Sequence, residues 1–128
     1  MKTQFFLCTT CGNVVVKTID SGMNVSCCGK EMKELIPGEV DAVLEKHLPA
    51  LECKGDGRVL VRVGSMPHPM TEDHQIMFIY LETEHGGCLR YLEIGHPAEA
   101  VFDLCKDKPV AIYAYCNIHG LWKTEVKK

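Results

Sequence analysis

The sequence lacks any hydrophobic run of about 18 residues, the length at which a helix begins to span a bilayer. It has no internal repeat and no low-complexity tract, and its formal net charge is only -3. These absences argue against a membrane helix, a disordered chain and a general nucleic-acid binder. The first residues also hold too short an apolar core for a secretory signal, so we expect a cytoplasmic protein with no membrane or nucleic-acid partner.

Cysteine is abundant, with eight residues in a chain of 128. In a secreted protein this count would indicate a disulfide framework, but in the cytoplasm it indicates metal or redox chemistry. Half of the cysteines are crowded into the first part of the chain, at Cys8, Cys11, Cys27 and Cys28. Of the scattered remainder, Cys53, Cys88 and Cys105 have no partner at metal-ligand spacing, and we expect them to be small apolar groups.

The chain is predicted to have two parts. Residues 1–36 contain short β runs around a Cys-x-x-Cys-Gly turn and form a module too small to be stable through apolar burial alone, so a bound metal is expected to stabilise it. Residues 37–38, Pro-Gly, form a turn and the expected linker. Residues 39–128 form the second domain.

The second domain shows the alternating hydrophobicity of β-strands. Val59, Val61 and Val63 fall on one face of their segment, which is typical of a strand with one buried side. Only residues 39–48 have helical spacing, which allows a helical turn there. Recurrent strands separated by turns predict an all-β antiparallel sandwich. The predicted strands cover Arg58–Val63, Gln75–Leu81, Leu89–Ile94 and Pro109–Tyr115.

The four N-terminal cysteines lie in two turns that can supply four thiolates to one tetrahedral ion, either zinc or iron. Cys27 and Cys28 are adjacent, and neighbouring side chains of an extended strand point to opposite faces. Both can reach one ion only if the backbone between them leaves the extended conformation, which Gly29 would help to permit. We therefore expect a distorted tetrahedral site.

The second domain carries a separate group of candidate ligands. His68 is held between two prolines, and Cys116-x-x-His119-Gly120 is a turn that follows a strand. Four imidazoles and one thiolate exceed what tetrahedral zinc requires, and they suit a five-coordinate iron with one open position. Because such a site has a net positive charge, a small anion is the expected substrate, and Lys46 would add to this field. The candidate ligands are His47, His68, His74, Cys116 and His119.

Over essentially its full length the chain resembles the two-domain superoxide reductases of the desulfoferrodoxin type. Three segments carry the resemblance in the catalytic part: Glu45-Lys46-His47, the run from Gly64 to His74, and Cys116-Asn117-Ile118-His119-Gly120-Leu121-Trp122-Lys123. In the N-terminal part the four cysteines resemble a desulforedoxin-like centre. The resemblance implies an immunoglobulin-like β-sandwich preceded by a small, rubredoxin-like metal-binding β domain.

The resemblance also implies roles for individual residues. The four histidines would bind iron in a plane with Cys116 as the axial ligand, and the four N-terminal cysteines would bind a second iron. Glu45 would occupy the sixth position of the resting ferric site, and Lys46 would attract superoxide and assist proton delivery. Superoxide is then the substrate, hydrogen peroxide the product, rubredoxin the usual electron donor and a homodimer the usual assembly.

Two other classes of protein remain open. Both clusters could be structural zinc sites of a non-catalytic module, although the surplus of histidines and the Glu45-Lys46 pair argue against it. The chain could also be a thiol-disulfide oxidoreductase that uses Cys8 and Cys11, but no βαβ pattern surrounds this pair.

Overall fold

The computed structural model describes residues 3–40 and 44–126, and the side chains of residues 44 and 45 lie outside this description. The chain divides into two compact units, with the boundary between Ile36 and Pro37. Within the described ranges, none of the helices combines the length and apolar character needed to cross a membrane.

The N-terminal unit is built from very short strands. Phe6, Cys8 and Met32 form its small buried cluster, with Val25 and Cys27 packed against it. Strands β1, β2 and β5 form an antiparallel sheet in the order β2-β1-β5, and β3 pairs with β4 in a hairpin. The strands are β1 (Phe5–Leu7), β2 (Val14–Val16), β3 (Ser26–Cys27), β4 (Lys30–Glu31) and β5 (Lys33–Glu34).

The C-terminal unit is an antiparallel β-sandwich of the immunoglobulin-like type, which confirms the predicted fold class. One sheet has the order β10-β7-β6 and the other β12-β11-β8-β9. A short helical turn, α1, precedes the first strand. The elements are α1 (Leu44–His47), β6 (Pro49–Cys53), β7 (Arg58–Val63), β8 (Ile76–Thr83), β9 (Gly86–Tyr91), β10 (Glu99–Asp103), β11 (Pro109–Cys116) and β12 (Gly120–Glu125).

The core of the sandwich lies between the two sheets. The side chains of Val59, Val61 and Val63 are all buried in it, as the alternating pattern predicts. The strand expected over Leu89–Ile94 is only partly correct, because β9 ends at Tyr91. Beyond Tyr91 the chain turns away from the strand, and the backbone N–H of Gly95 donates to the carbonyl of Met70.

Strand β9 contains two adjacent glycines that differ in the space around them. A Cβ on Gly87 would overlap with the phenol ring of Tyr80 on β8, whereas a Cβ on Gly86 would meet only the Thr83 hydroxyl oxygen at 4.0 Å. The half-buried ring of Tyr80 packs edge-to-face against Tyr113 at 6.3 Å between ring centroids, and it would have to shift from this position to admit a Cβ. Gly87 is therefore needed for the packing of Tyr80 across the strand.

We expect Gly87→Ala to lower the free energy of unfolding of the sandwich by about 1–3 kcal/mol, the usual cost of overpacking. Gly86→Ala is the matched control and should leave stability unchanged or slightly higher, since alanine restricts the unfolded chain. Denaturant unfolding followed by circular dichroism measures both. Equal stabilities for the two variants would contradict the assigned position of the Tyr80 ring.

Candidate metal centres

In the N-terminal unit a tight turn brings Cys8 and Cys11 together. The N–H of Gly12 donates to the carbonyl of Cys8 at 2.9 Å, and the N–H of Cys8 donates to the carbonyl of Asn13 at 2.8 Å. Gly12 has a φ of 85°, a conformation that glycine adopts without strain. The turn also directs the N–H of Cys11 at the sulfur of Cys8, 3.4 Å away.

The backbone at Cys28 shows how two adjacent cysteines reach one site. Cys27 pairs with Lys30 across the β3–β4 hairpin, so Cys28 and Gly29 are the two central residues of its turn. Their φ values are 54° and 76°, both positive as in the turns that match the twist of two-residue hairpins. Cys28 thus leaves the extended conformation, and the sulfur atoms of Cys27 and Cys28 lie 3.9 Å apart.

The spacing and protonation of the four thiols both fit a bound cation. Sulfurs at the corners of a tetrahedron are about 3.8 Å apart when each lies about 2.3 Å from a central ion. The Cys11 and Cys27 sulfurs are 3.6 Å apart, and all four sulfurs lie within 4.8 Å of one another.

The four thiols differ in their tendency to ionise. The N–H of Cys11 lowers the pKa of Cys8 to about 6, whereas hydrogen bonds with Cys11 and Cys8 raise the pKa of Cys28 to about 12. A cation is needed to hold all four as thiolates.

In the C-terminal unit four imidazoles form a closed ring. His47 contacts His68 and His119, and His74 contacts the same two rings from the other side. The four centroid distances are 4.7, 4.8, 4.7 and 5.1 Å, and every contact is edge-to-face. The four histidines come from α1, the loop before β8 and the turn between β11 and β12.

One nitrogen of each imidazole points into the ring. His47 Nε2 lies 3.1 Å from His68 Nε2 and 3.0 Å from His119 Nδ1. Neighbouring donors of a square site are about 3.0 Å apart when each lies about 2.1 Å from the ion. Among the described residues His74 Nε2 is the buried side-chain polar atom that has no hydrogen-bond partner. An ion at the centre of the ring would satisfy it, so the donors fit a metal.

Cys116 supplies a fifth donor beside the ring. Its sulfur lies 3.9 Å from His119 Nδ1, and the side chain is completely buried. Burial raises its pKa, while the N–H groups of His119 and Ile118 act in the opposite direction.

An irregularity in the β8–β11 register places Ile76 opposite Cys116. The extra residue of this bulge, Met77, lies on β8, so the bulge turns Ile76 towards the core. Cys116 itself faces inward by the regular alternation of β11, after Ile112 and Ala114.

Contacts behind the ring fix the orientation of the imidazoles. The Nδ1 of His68 lies 2.7 Å from the carbonyl of Pro69, which sets Nε2 towards the centre. Trp122 stacks on His47 at 4.9 Å between centroids and donates from Nε1 to the carbonyl of His119 at 3.1 Å. Burial lowers the pKa of His68 to about 4 and lowers that of His74, so both are neutral and able to bind metal near neutral pH.

The structure places each predicted site residue as follows. All nine predicted metal ligands fall into the two clusters, four cysteines in one and five donors in the other. Lys46 lies on α1 close enough that its charge contributes to the lowered pKa of His74, after burial and the neighbouring histidines. The side chain of Glu45 lies outside the described residues, although its backbone belongs to α1. The helical turn allowed within residues 39–48 is present over Leu44–His47.

Sequence reasoning missed the side chains that support the ligands. The amide of Asn13 reaches the Cys27 sulfur at 3.7 Å, the Thr71 hydroxyl accepts from the N–H of His74 at 3.1 Å, and Asn117 bonds on both sides of His74. The sequence does contain a signal for them: each is a residue with a short polar side chain in a turn, one to three positions from a ligand, where such side chains commonly bond to the backbone.

A third donor group, Glu84, His85 and Asp107, was also missed. His85 Nδ1 lies 2.9 Å from Asp107, and this contact raises the pKa of His85 and lowers that of Asp107 to about 2. The side chain of His85 is 82% exposed. An ion pair between two surface turns accounts for the arrangement.

The chain is similar to known proteins over both units. A family model described as Desulfoferrodoxin matches residues 39–125. A desulfoferrodoxin of Syntrophotalea carbinolica is 40% identical over 124 residues, which cover 97% of each chain. A superoxide reductase of Pyrococcus horikoshii is 38% identical over 100 residues, which cover 65% of this chain and 87% of that one. The solved superoxide reductase of Treponema pallidum has a TM-score of 0.82 and 32% identity, covering 98% of this chain and 100% of that one.

The family model covers more than half of the chain, and the Syntrophotalea relative is matched along nearly its whole length. The two donor sets described above are those that the sequence resemblance implies. The chain belongs to the desulfoferrodoxin family.

Proposed function

We propose that the protein is a superoxide reductase, an oxidoreductase that converts superoxide to hydrogen peroxide with one electron and two protons. The observation that carries the proposal is the closed ring of four imidazoles, in which the buried Nε2 of His74 has no hydrogen-bond partner, with the buried thiol of Cys116 beside the ring. Five donors of this kind exceed the four of a structural zinc site and leave one position of an iron ion open.

Iron bound by these five donors supplies the electron that reduces superoxide. Cys116 would hold the metal through a thiolate, whose electron donation would favour the oxidised state, as the thiolate of a cysteine-ligated haem does. Electron donation by Cys116 would thus favour giving an electron to one superoxide over recovering it from a second. The reaction is therefore a reduction that needs an external donor, and dismutation is disfavoured.

Lys46 and Glu45 are proposed to act at the open face. The chain has a formal net charge of -3, which opposes the approach of an anion, so a positive group near the iron would help the site to attract superoxide. Lys46 is half-buried beside the ring, and its charge is felt at His74. It would bind the incoming anion and assist proton delivery, while Glu45 would fill the open position of the resting ferric site.

We expect Lys46→Ala to slow the second-order reaction with superoxide at low ionic strength by about 10-fold or more, the range of electrostatic steering. The difference should shrink as salt is added, because screening reduces attraction in the wild type. Pulse radiolysis at several salt concentrations measures both effects. The control is Lys54→Ala. Lys54 is an exposed lysine in the turn after β6, so this variant loses the same charge and should react with superoxide at nearly the wild-type rate. Identical rates and salt dependences for the Lys46 and Lys54 variants would contradict steering by Lys46.

The N-terminal part, residues 1–36, is proposed to be a desulforedoxin-like domain whose iron is bound by Cys8, Cys11, Cys27 and Cys28. Residues 37–38 link it to the catalytic domain, residues 39–128. The sulfur–sulfur distances support the first assignment. The iron of this domain would store or relay electrons for the catalytic site.

Elemental analysis of protein grown with ample iron, combined with a visible spectrum and a superoxide assay, tests the proposal as a whole. Two irons per chain and rapid consumption of superoxide without dismutation are expected. Zinc in both sites and no reaction with superoxide would overturn the proposal and favour the structural zinc module.

The resemblance to the family also supports three finer proposals. Rubredoxin is the proposed electron donor, which stopped-flow reoxidation of reduced rubredoxin can test. A homodimer is the proposed assembly, to be checked by sedimentation velocity. The proposed location is the cytoplasm, which agrees with eight cysteines that are all free of disulfide bonds.

A further inference from the structure

The side chain of Asn117 connects two segments that carry neighbouring members of the imidazole ring. Its Oδ1 accepts a hydrogen bond from the backbone N–H of Gln75 at 2.9 Å, and its Nδ2 donates to the backbone carbonyl of Asp73 at 2.9 Å. The backbone N–H of Asn117 also donates to the carbonyl of Gln75 at 3.2 Å. The residues bonded by the amide are the two that flank His74.

The two side-chain hydrogen bonds of Asn117 both need a carboxamide. An asparagine presents an acceptor and two donors on one planar group, whereas aspartate offers only acceptors and alanine offers none. Because the two bonded groups lie on either side of His74, the amide fixes the backbone before and after the ligand. It fixes them relative to the turn between Cys116 and His119, on which Asn117 itself lies.

His74 lies in the segment that this connection holds. His68 is oriented by the Pro69 carbonyl and His47 by stacking on Trp122. The Nε2 of His74 is buried without a hydrogen-bond partner, as expected of a ligand atom, and the backbone of His74 is held by Thr71 on one side of the loop. The contact between His74 and His119 is also the longest of the ring, at 5.1 Å between centroids. The side chain of Asn117 adds two hydrogen bonds between the segments that carry these two ligands.

We propose that Asn117 is a positioning residue of the catalytic iron centre: its carboxamide holds the His74 loop against the Cys116–His119 turn and so sets the position of His74 in the ligand ring. This inference depends on the proposed function in one respect, namely that His74 is an iron ligand. It adds the requirement that a residue which does not bind the iron must hold one of the ligands in place.

The test compares Asn117→Ala and Asn117→Asp with the wild type as the full iron-loaded chain. Outer-shell partners of metal ligands are commonly worth 10–100-fold in metal affinity, and we expect a loss in this range at the five-donor site for Asn117→Ala, measured by competition with a chelator. Asn117→Asp should lose at least as much, because a carboxylate oxygen would face the carbonyl of Asp73. The electron paramagnetic resonance signal of the ferric site should broaden or split in both variants.

Further measurements separate positioning from general stability. Hydrogen exchange in peptides that span residues 71–76 should accelerate in both variants. The control is Asn24→Ala, which removes a side-chain hydrogen bond to Glu31 in the other unit and should leave the five-donor iron unchanged. A lower melting temperature with wild-type iron affinity and an unchanged resonance signal would overturn the proposal, as would an Asn117→Asp variant indistinguishable from wild type. If the wild type itself binds no iron at this site, the proposed function fails instead.

Discussion

Replacing Cys116 by serine is expected to abolish the thiolate-to-iron absorption of the ferric catalytic site while the sandwich remains folded. The charge-transfer band requires a sulfur ligand, and Cys116 is the cysteine of the five-donor cluster. Serine can keep the hydrogen bonds from the N–H groups of Ile118 and His119, so its hydroxyl would not be buried without partners. Reaction with superoxide should be lost together with the band, because the electron density donated by the thiolate is lost.

The matched control is Cys88→Ser. Cys88 is partly buried against the same core but lies outside both cysteine-containing clusters, so it reports the cost of replacing a thiol by a hydroxyl in this sandwich. Visible spectra of the two oxidised variants, with circular dichroism to verify folding, decide the question. A Cys116→Ser protein that keeps the band would rule out Cys116 as the sulfur ligand, whereas loss of the band in both variants would mean that it reports core packing.

How well a strand could be predicted from the sequence depended on its position in the sheet. The central strands β7, β8 and β11 are flanked on both sides, and their apolar side chains mark them clearly. The unpredicted strands β6, β10 and β12 are all edge strands. Strand β9, the remaining edge of the sandwich, was predicted with the wrong ends. Edge strands are half exposed and carry a weaker apolar pattern, so their pairing is decided by tertiary contacts that a local pattern does not contain.

The chemistry of the site could be predicted further than its geometry. Cysteine and histidine are so informative as ligands that spacing and residue type were enough to divide the nine predicted donors into the same two clusters that the structure forms. Which nitrogen of each imidazole faces inward could not be predicted, and the structure shows Nδ1 for His119 but Nε2 for His47 and His68. That choice depends on side-chain rotation and on partners such as the Pro69 carbonyl, which become neighbours only in the folded chain.

Replacing Cys11 by serine is expected to unfold the N-terminal unit and to leave the sandwich intact. Among residues 3–36 five apolar residues are buried, far too small a core to offset the loss of conformational entropy of about 1–2 kcal/mol per residue. Structural zinc in zinc-finger peptides contributes about 10–16 kcal/mol of apparent binding free energy, and in such small units metal-binding free energy becomes folding free energy. Cys11 is exposed, so its substitution removes a ligand without removing core packing.

The result can be measured on the full chain by limited proteolysis and by hydrogen exchange of peptides from residues 3–36. Protection there should fall to the level of an unfolded chain, and the absorption of the four-cysteine iron should disappear, while peptides from residues 44–126 keep wild-type protection. The control is Cys53→Ser. Cys53 is exposed and lies outside both cysteine-containing clusters, so this variant should change neither the protection of residues 3–36 nor the iron absorption. If the Cys11→Ser variant retained protection in residues 3–36, the unit would be stable without its metal, and the four thiolates would have to be explained by electron transfer alone. The same experiment therefore tests whether the first centre is needed for folding.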